Sequence, residues 1–131
     1  MKHEELTQQI IKAFYTVYNA LGYGFLENVY QNALIIELRK VGLQLTAQQP
    51  IKVYYDHQVV GEYFADLVVE GSIIVELKAV NSLLNEHEAQ LLNYLNATRC
   101  EVGLLLNFGP KPEVKRKVFD NDRKRYSTQS G

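Results

Sequence analysis

The 131-residue sequence has one cysteine, Cys100, and therefore no partner for an internal disulfide. A reducing cytoplasm is the expected setting. With no histidine nearby in sequence, a buried structural thiol is the expected role of Cys100. No apolar run approaches the ~20 residues that a membrane-spanning helix needs. The N-terminal MKHEELTQQ lacks the apolar segment of a secretory leader. Repeats, low-complexity tracts and linker-like stretches are missing too, so one domain over residues 1–131 is expected. Neither a GxxxxGK loop ending in Ser or Thr nor a strand followed by GxGxxG occurs, which excludes those two routes to nucleotide binding.

What is present is the composition of an ordinary folded domain, 47% hydrophobic and 22% charged. A chain of this length buries roughly 68% of the surface its unfolded form exposes. The net charge of −1 conceals an asymmetry. Residues 1–110 carry 7 basic and 12 acidic side chains, a balance of −5, whereas residues 111–131 carry 7 and 3, a balance of +4. Lys115, Arg116, Lys117, Arg123, Lys124 and Arg125 thus form a basic C-terminal tail on an acidic body. Such a tail suits non-specific phosphate contacts. It equally suits a solvated end that keeps the protein in solution.

Apolar residues at Leu6, Ile10, Ile11, Phe14, Val17, Tyr18 and Leu21 have helical spacing, and Gly22 and Gly24 end that helix. A second helix is expected from about Phe25 to Val41, with Gly42 at its C′ position. Leu43–Gln48, Ile51–Tyr55, Gln58–Val69 and Ser72–Val80 read as strands, with Asp56-His57 as a hairpin turn. Asn85 and Glu88 have the spacing of a capping box opening a helix that runs to about Thr98. Glu101–Asn107 is a further apolar strand and Val114–Phe119 an edge strand. The order gives an α/β domain with a mixed central sheet flanked by helices.

Within Gly61–Val80, away from the strand start and the turn, the strands are apolar except for Asp66, Glu76 and Lys78. Period-2 alternation places Ile74, Glu76, Lys78 and Val80 on one face, and Phe64, Asp66 and Val68 share a face. A two-residue loop, Glu70-Gly71, sends the two acids to opposite faces. A three-residue loop, Glu70-Gly71-Ser72, opposes Asp66 to Glu76 and Phe64 to Lys78, and this register is the one adopted. Facing carboxylates repel, and near an apolar sheet one is expected to keep a proton. A divalent cation removes that conflict, Mg²⁺ being suited to one or two carboxylates plus waters. The competing account is a structural ion pair with Lys78.

Asp66 followed by Glu76-Leu77-Lys78 resembles the D…ExK signature of the PD-(D/E)XK nuclease superfamily. Gln90-Leu91-Leu92-Asn93-Tyr94 is similar to the QxxxY motif of its RecB-like branch. Gly24-Phe25-Leu26-Glu27-Asn28-Val29-Tyr30 resembles the motif that names the bacterial GxxExxY protein family. The likeness runs from about Thr7 to Phe119, with Ala65 standing where the superfamily name has Pro. It implies a restriction-endonuclease-like core and a Mg²⁺-dependent (or Mn²⁺-dependent) nuclease acting on DNA or RNA. Asp66, Glu76 and the Leu77 carbonyl would hold the metal, and Glu27 is the candidate to complete its site. Lys78 would orient or deprotonate the attacking water. Gln90 would hydrogen-bond water or Lys78, with Tyr30 and Tyr94 in support.

Each role has a plainer counterpart. With Gly24 as N-cap, Glu27 sits at N3, where a carboxylate favours a helix start regardless of function. Gln90 and Tyr94 share a helix face in any amphipathic helix. His87 lies one turn before Gln90, within reach of a cleft, but a lone histidine is more often a surface residue. Tyr54, Tyr55 and Tyr63 offer faces on which bases stack, but aromatic residues are favoured in strands anyway. Two functions compete: a metal-dependent nuclease, and a nuclease-like fold that binds nucleic acid as an accessory protein. The small size and acidic body point to a homo-oligomer or a larger nucleic-acid-processing assembly, and no membrane association is expected.

Overall fold

A computed structural model describes residues 2–124. Helix α1 spans Glu4–Leu21 and α2 spans Glu27–Lys40. Strands β1 (Leu45–Tyr55), β2 (Gln58–Val69) and β3 (Ile73–Lys78) follow, then α3 (Asn85–Asn96), β4 (Val102–Phe108) and β5 (Pro112–Val118). The five strands form one sheet in the order β1-β2-β3-β4-β5. Only β3 and β4 run parallel, as a strand pair joined through a helix allows. A mixed sheet with α1 and α2 on one face and α3 on the other is a restriction-endonuclease-like α/β architecture.

Sequence periodicity explains the layers. Ile10, Phe14 and Val17 of α1 and Tyr30, Leu34 and Leu38 of α2 pack on Val75, Leu77, Leu104, Leu106 and Phe108. On the other face, Leu91, Tyr94 and Leu95 of α3 pack on Ile74 and Leu105. Covered on both sides, β4 is buried along its whole length. At Gly103 a β-carbon would stand 2.7 Å from Leu91 Cδ1, so α3 lies too close there for a side chain.

Several boundaries differ from the sequence reading. The first two expected strands are one continuous β1 running through Pro50, tolerated because β1 is an edge strand. Helix α2 begins later than expected: Leu26, in extended backbone, is the N-cap, which puts Glu27 at N1 rather than N3. Likewise Leu84, not Asn85, caps α3, and the acceptor for the Leu84 N–H is His87 Nδ1 at 3.0 Å. A leucine side chain accepts no hydrogen bond, so the expected Asn85/Glu88 box is replaced by this single contact, and His87 serves as a capping group. Gly42 follows the Val41 C-cap with φ 81°, the left-handed conformation expected at that position. Among the described residues, no helix is long and apolar enough to cross a membrane.

Candidate active site

The turn between β2 and β3 sets the site. Val69 pairs with Ile73, so Glu70-Gly71-Ser72 is a three-residue loop, and the same register carried forward brings Asp66 opposite Glu76. The ladder itself stops at Leu67–Val75, although β3 stays paired with β4 as far as Lys78. Beyond Leu67 the two strands part, and the acids bridge the gap. The Asp66 N–H donates to Glu76 Oε2 at 2.6 Å, and the Leu77 N–H donates to Asp66 Oδ2 at 2.8 Å. Two carboxylates thus take backbone donors that β-ladder carbonyls would otherwise accept. Because the strands part here, the expected pairing of Phe64 with Lys78 does not form.

Glu76 is 6% exposed. Burial, then the neighbouring Asp66 charge, pushes its carboxyl up to about 8; the Asp66 N–H and the Lys78 ammonium oppose the rise, and Glu27 adds to it. The acid pair therefore holds a proton at neutral pH when nothing else neutralises it. Lys78 is half-buried and makes no salt bridge with either acid among the described residues. A structural Asp/Glu–Lys ion pair is thereby not what holds the acids in place.

Around this pair the structure arranges the other candidates unevenly. Glu27 starts α2 and its charge reaches Glu76, but from outside close range: among the described residues no group of three or more His, Cys, Asp and Glu side chains is set to hold a metal ion. Tyr94 faces the acids from α3; burial first, then the charges of Glu76 and Asp66, push its hydroxyl up to about 12, so it stays protonated. Gln90 lines a groove beside Tyr94. Tyr30 is fully buried, its ring stacked on Phe108 at 4.3 Å. Its hydroxyl donates to the Gly22 carbonyl at 2.7 Å and accepts the Phe25 N–H at 3.2 Å. Tyr30 therefore pins the turn that aims Glu27. Tyr30→Phe is expected to lower stability by about 1–3 kcal/mol in a urea melt, because both backbone groups lose their partner.

Two glutamines that the sequence reading passed over complete the surroundings. Gln48 Nε2 donates to Gln31 Oε1 at 3.0 Å and approaches Asp66 Oδ1 at 3.4 Å, tying α2 to the acid. Gln48 has φ 53° within β1, opposite the point where β2 changes its packing: Ala65 joins the α3 layer and Leu67 the α1/α2 layer. Gln31 lies one turn beyond Glu27 on the same helix face, the one signal that spacing offered.

The basic tail is less free than its composition suggests. Its first part is β5, where Lys117 pairs with Glu88 at 2.5 Å and Arg116 donates to the Lys2 carbonyl at 2.6 Å. Lys124 Nζ donates to the carbonyls of Thr98 and Cys100. Lys115 and Arg123 are exposed, and Arg125 lies outside the described residues. Cys100 is half-buried, and burial raises its thiol, in keeping with a structural role.

The fold and its acid pair define a class, and comparison with known proteins agrees. A family model of the PD-(D/E)XK nuclease superfamily matches residues 4–117, and the chain belongs to that superfamily. The crystal structure of SSO0001 is similar in fold, with a TM-score of 0.56 at 20% identity over 92% of this chain. This chain spans 62% of the length of that one. Among curated proteins, none matches the sequence.

Proposed function

We propose that the protein is a Mg²⁺-dependent phosphodiesterase that hydrolyses DNA or RNA, with Mn²⁺ able to replace Mg²⁺. Its GxxExxY segment, Gly24–Tyr30, and its QxxxY segment, Gln90–Tyr94, support assigning it to the GxxExxY group on the RecB-like side of the superfamily. The observation that carries this reading is the Asp66–Glu76 pair, a half-buried and a buried acid with too little positive charge beside them. The donor set fits the metal. Asp66 Oδ2 and Glu76 Oε2 take backbone N–H groups, leaving Glu76 Oε1 and Asp66 Oδ1, which only the weak 3.4 Å approach of Gln48 touches, as hard oxygen donors. Mg²⁺ is bound by one or two carboxylates, its remaining positions being filled by water and phosphate, so a third close acid is not required. In an extended strand a residue's N–H and C=O point to the same edge, so the Leu77 carbonyl lies on the edge that faces Asp66.

When bound, the metal would polarise the phosphate and acidify a water. The chain supplies the rest. Asp66 and Glu76 hold the charge in place, and Glu27 adds negative potential from the start of α2. Lys78 orients the attacking water and offsets charge on the phosphate. Tyr94 presents a hydroxyl that remains a donor. The test is a cleavage assay on single- and double-stranded DNA and RNA, with Mg²⁺, Mn²⁺ or EDTA. Metal-dependent products support the nuclease. Binding without cleavage under every condition supports instead an accessory role for the fold.

Phosphate contacts from the tail are expected mainly from Lys115 and Arg123, the exposed cations among the described ones of the six named above. Replacing both with Ala should reduce the salt dependence of nucleic-acid binding, each lost contact lowering the slope by roughly 0.7–0.9. An unchanged slope would leave the tail a structural edge strand with a solvated end.

A further inference from the structure

Between α3 and the β1–β2 ribbon lies a groove of about 470 Å³, of whose lining the proposed chemistry uses only Tyr94. Its floor is apolar, from Ile51 and Val53, and one wall is the Tyr63 ring, which is 47% exposed and lies 5.7 Å from the Tyr94 ring. The opposite wall carries three carboxamides, Gln90, Asn93 and Asn96. The Asn96 side-chain oxygen is shut off from solvent and has no hydrogen-bond partner among the described residues. No Lys or Arg lines the groove, and its one charged residue is Glu86.

That lining selects among ligands. A phosphate or carboxylate would meet an acid and no cation. A peptide strand or lipid chain would leave the three amides unanswered. A flat, neutral group edged with donors and acceptors suits all of it, because carboxamides present both and an aromatic face accepts stacking. The position matters as much, since Tyr94 belongs both to the groove and to the side of α3 that faces Asp66 and Glu76. We infer that the groove is a nucleobase pocket, which takes one unstacked base of a single-stranded nucleic acid whose backbone passes the Asp66–Glu76 acids. A paired base in a duplex has its edge occupied and its faces stacked, and so cannot enter. This deepens the proposed nuclease function and rests on it for the placement of the backbone.

The test is binding, read by fluorescence anisotropy with Ca²⁺ in place of Mg²⁺. The probes are a labelled single-stranded DNA 10-mer, the same sequence as RNA, a blunt duplex, and an abasic 10-mer with the same backbone. Wild type should prefer the single strands to both the duplex and the abasic strand. The DNA and RNA arms decide which backbone the pocket accompanies. Tyr63→Ala should weaken single-strand binding about 5- to 150-fold, the range of one lost base stack, and leave the abasic probe unaffected. Asn93→Leu, an exposed change that spares the tyrosine pair, should also weaken single-strand binding and spare the abasic probe. Equal binding of base-bearing and abasic strands by wild type, or single-strand affinity unchanged in both variants, would overturn the pocket. Cleavage reports on the nuclease separately. Base-dependent binding lost in Tyr63→Ala supports the pocket even where no substrate is cut, and metal-dependent cleavage with base-independent binding overturns it.

Discussion

The Asp66→Asn protein is expected to melt at or above the temperature of the metal-free wild type, yet to lose cleavage by at least about 100-fold. The stability half follows from the geometry. Asp66 receives the Leu77 N–H on one oxygen, and an asparagine side-chain oxygen accepts the same bond at nearly the same volume. The substitution also deletes the negative charge that pushes up the Glu76 carboxyl, which relieves the pair. Gln48 loses a weak 3.4 Å approach and keeps its bond to Gln31. The activity half follows from the proposed role: changes in the partners of metal ligands already cost 10–100-fold, and loss of a ligand costs at least as much. Mg²⁺ should raise the melting temperature of the wild type by mass action and do little for the variant. A variant that melts well below the metal-free wild type would show Asp66 to be a structural anchor and would end the metal-site reading. Function here would set charges against the fold, which is why removing one need not weaken it.

How much of this was legible in sequence can be judged residue by residue. The meeting of Asp66 and Glu76 was legible, because loop length fixes register and register fixes which side chains oppose. The parting of β2 and β3 beyond Leu67 was not, since it depends on each carboxylate taking a backbone N–H from the other strand. Helix starts were misplaced by one or two residues where Leu26 and Leu84, residues with no side-chain acceptor, stand at the N-cap. Gln48 escaped notice because glutamine is not a residue from which a left-handed backbone is expected, and its partners Gln31 and Asp66 are distant in sequence. The tail was read as a charge sum, which says nothing about which cations an edge strand and nearby carbonyls engage. Tyr30 stood out in the motif, but spacing gave no sign of the turn its hydroxyl closes.

The largest effect on stability should come with pH, through Glu76. In the unfolded chain its carboxyl titrates near the ordinary 4.5; in the folded, metal-free protein it is pushed up to about 8. Below pH 4.5 both states hold the proton and the group contributes no pH dependence. Between about 4.5 and 8 the unfolded chain releases the proton and the folded one keeps it, so stability falls as pH rises, by roughly 1.4 kcal/mol per pH unit at most. Above about 8 both states are ionised and the loss is complete. Glu76→Gln cannot ionise, and its side-chain oxygen still accepts the Asp66 N–H. Urea melts at pH 5, 6.5 and 8 should therefore show wild type losing ground to Glu76→Gln steadily, with the variant several kcal/mol ahead at pH 8. Millimolar Mg²⁺ takes the place of the proton, so it should stabilise wild type most at pH 8, least at pH 5, and leave Glu76→Gln almost unmoved. Parallel stability curves for the two proteins would show that Glu76 ionises as freely in the fold as outside it, and the acid pair would then exert no pull on a cation.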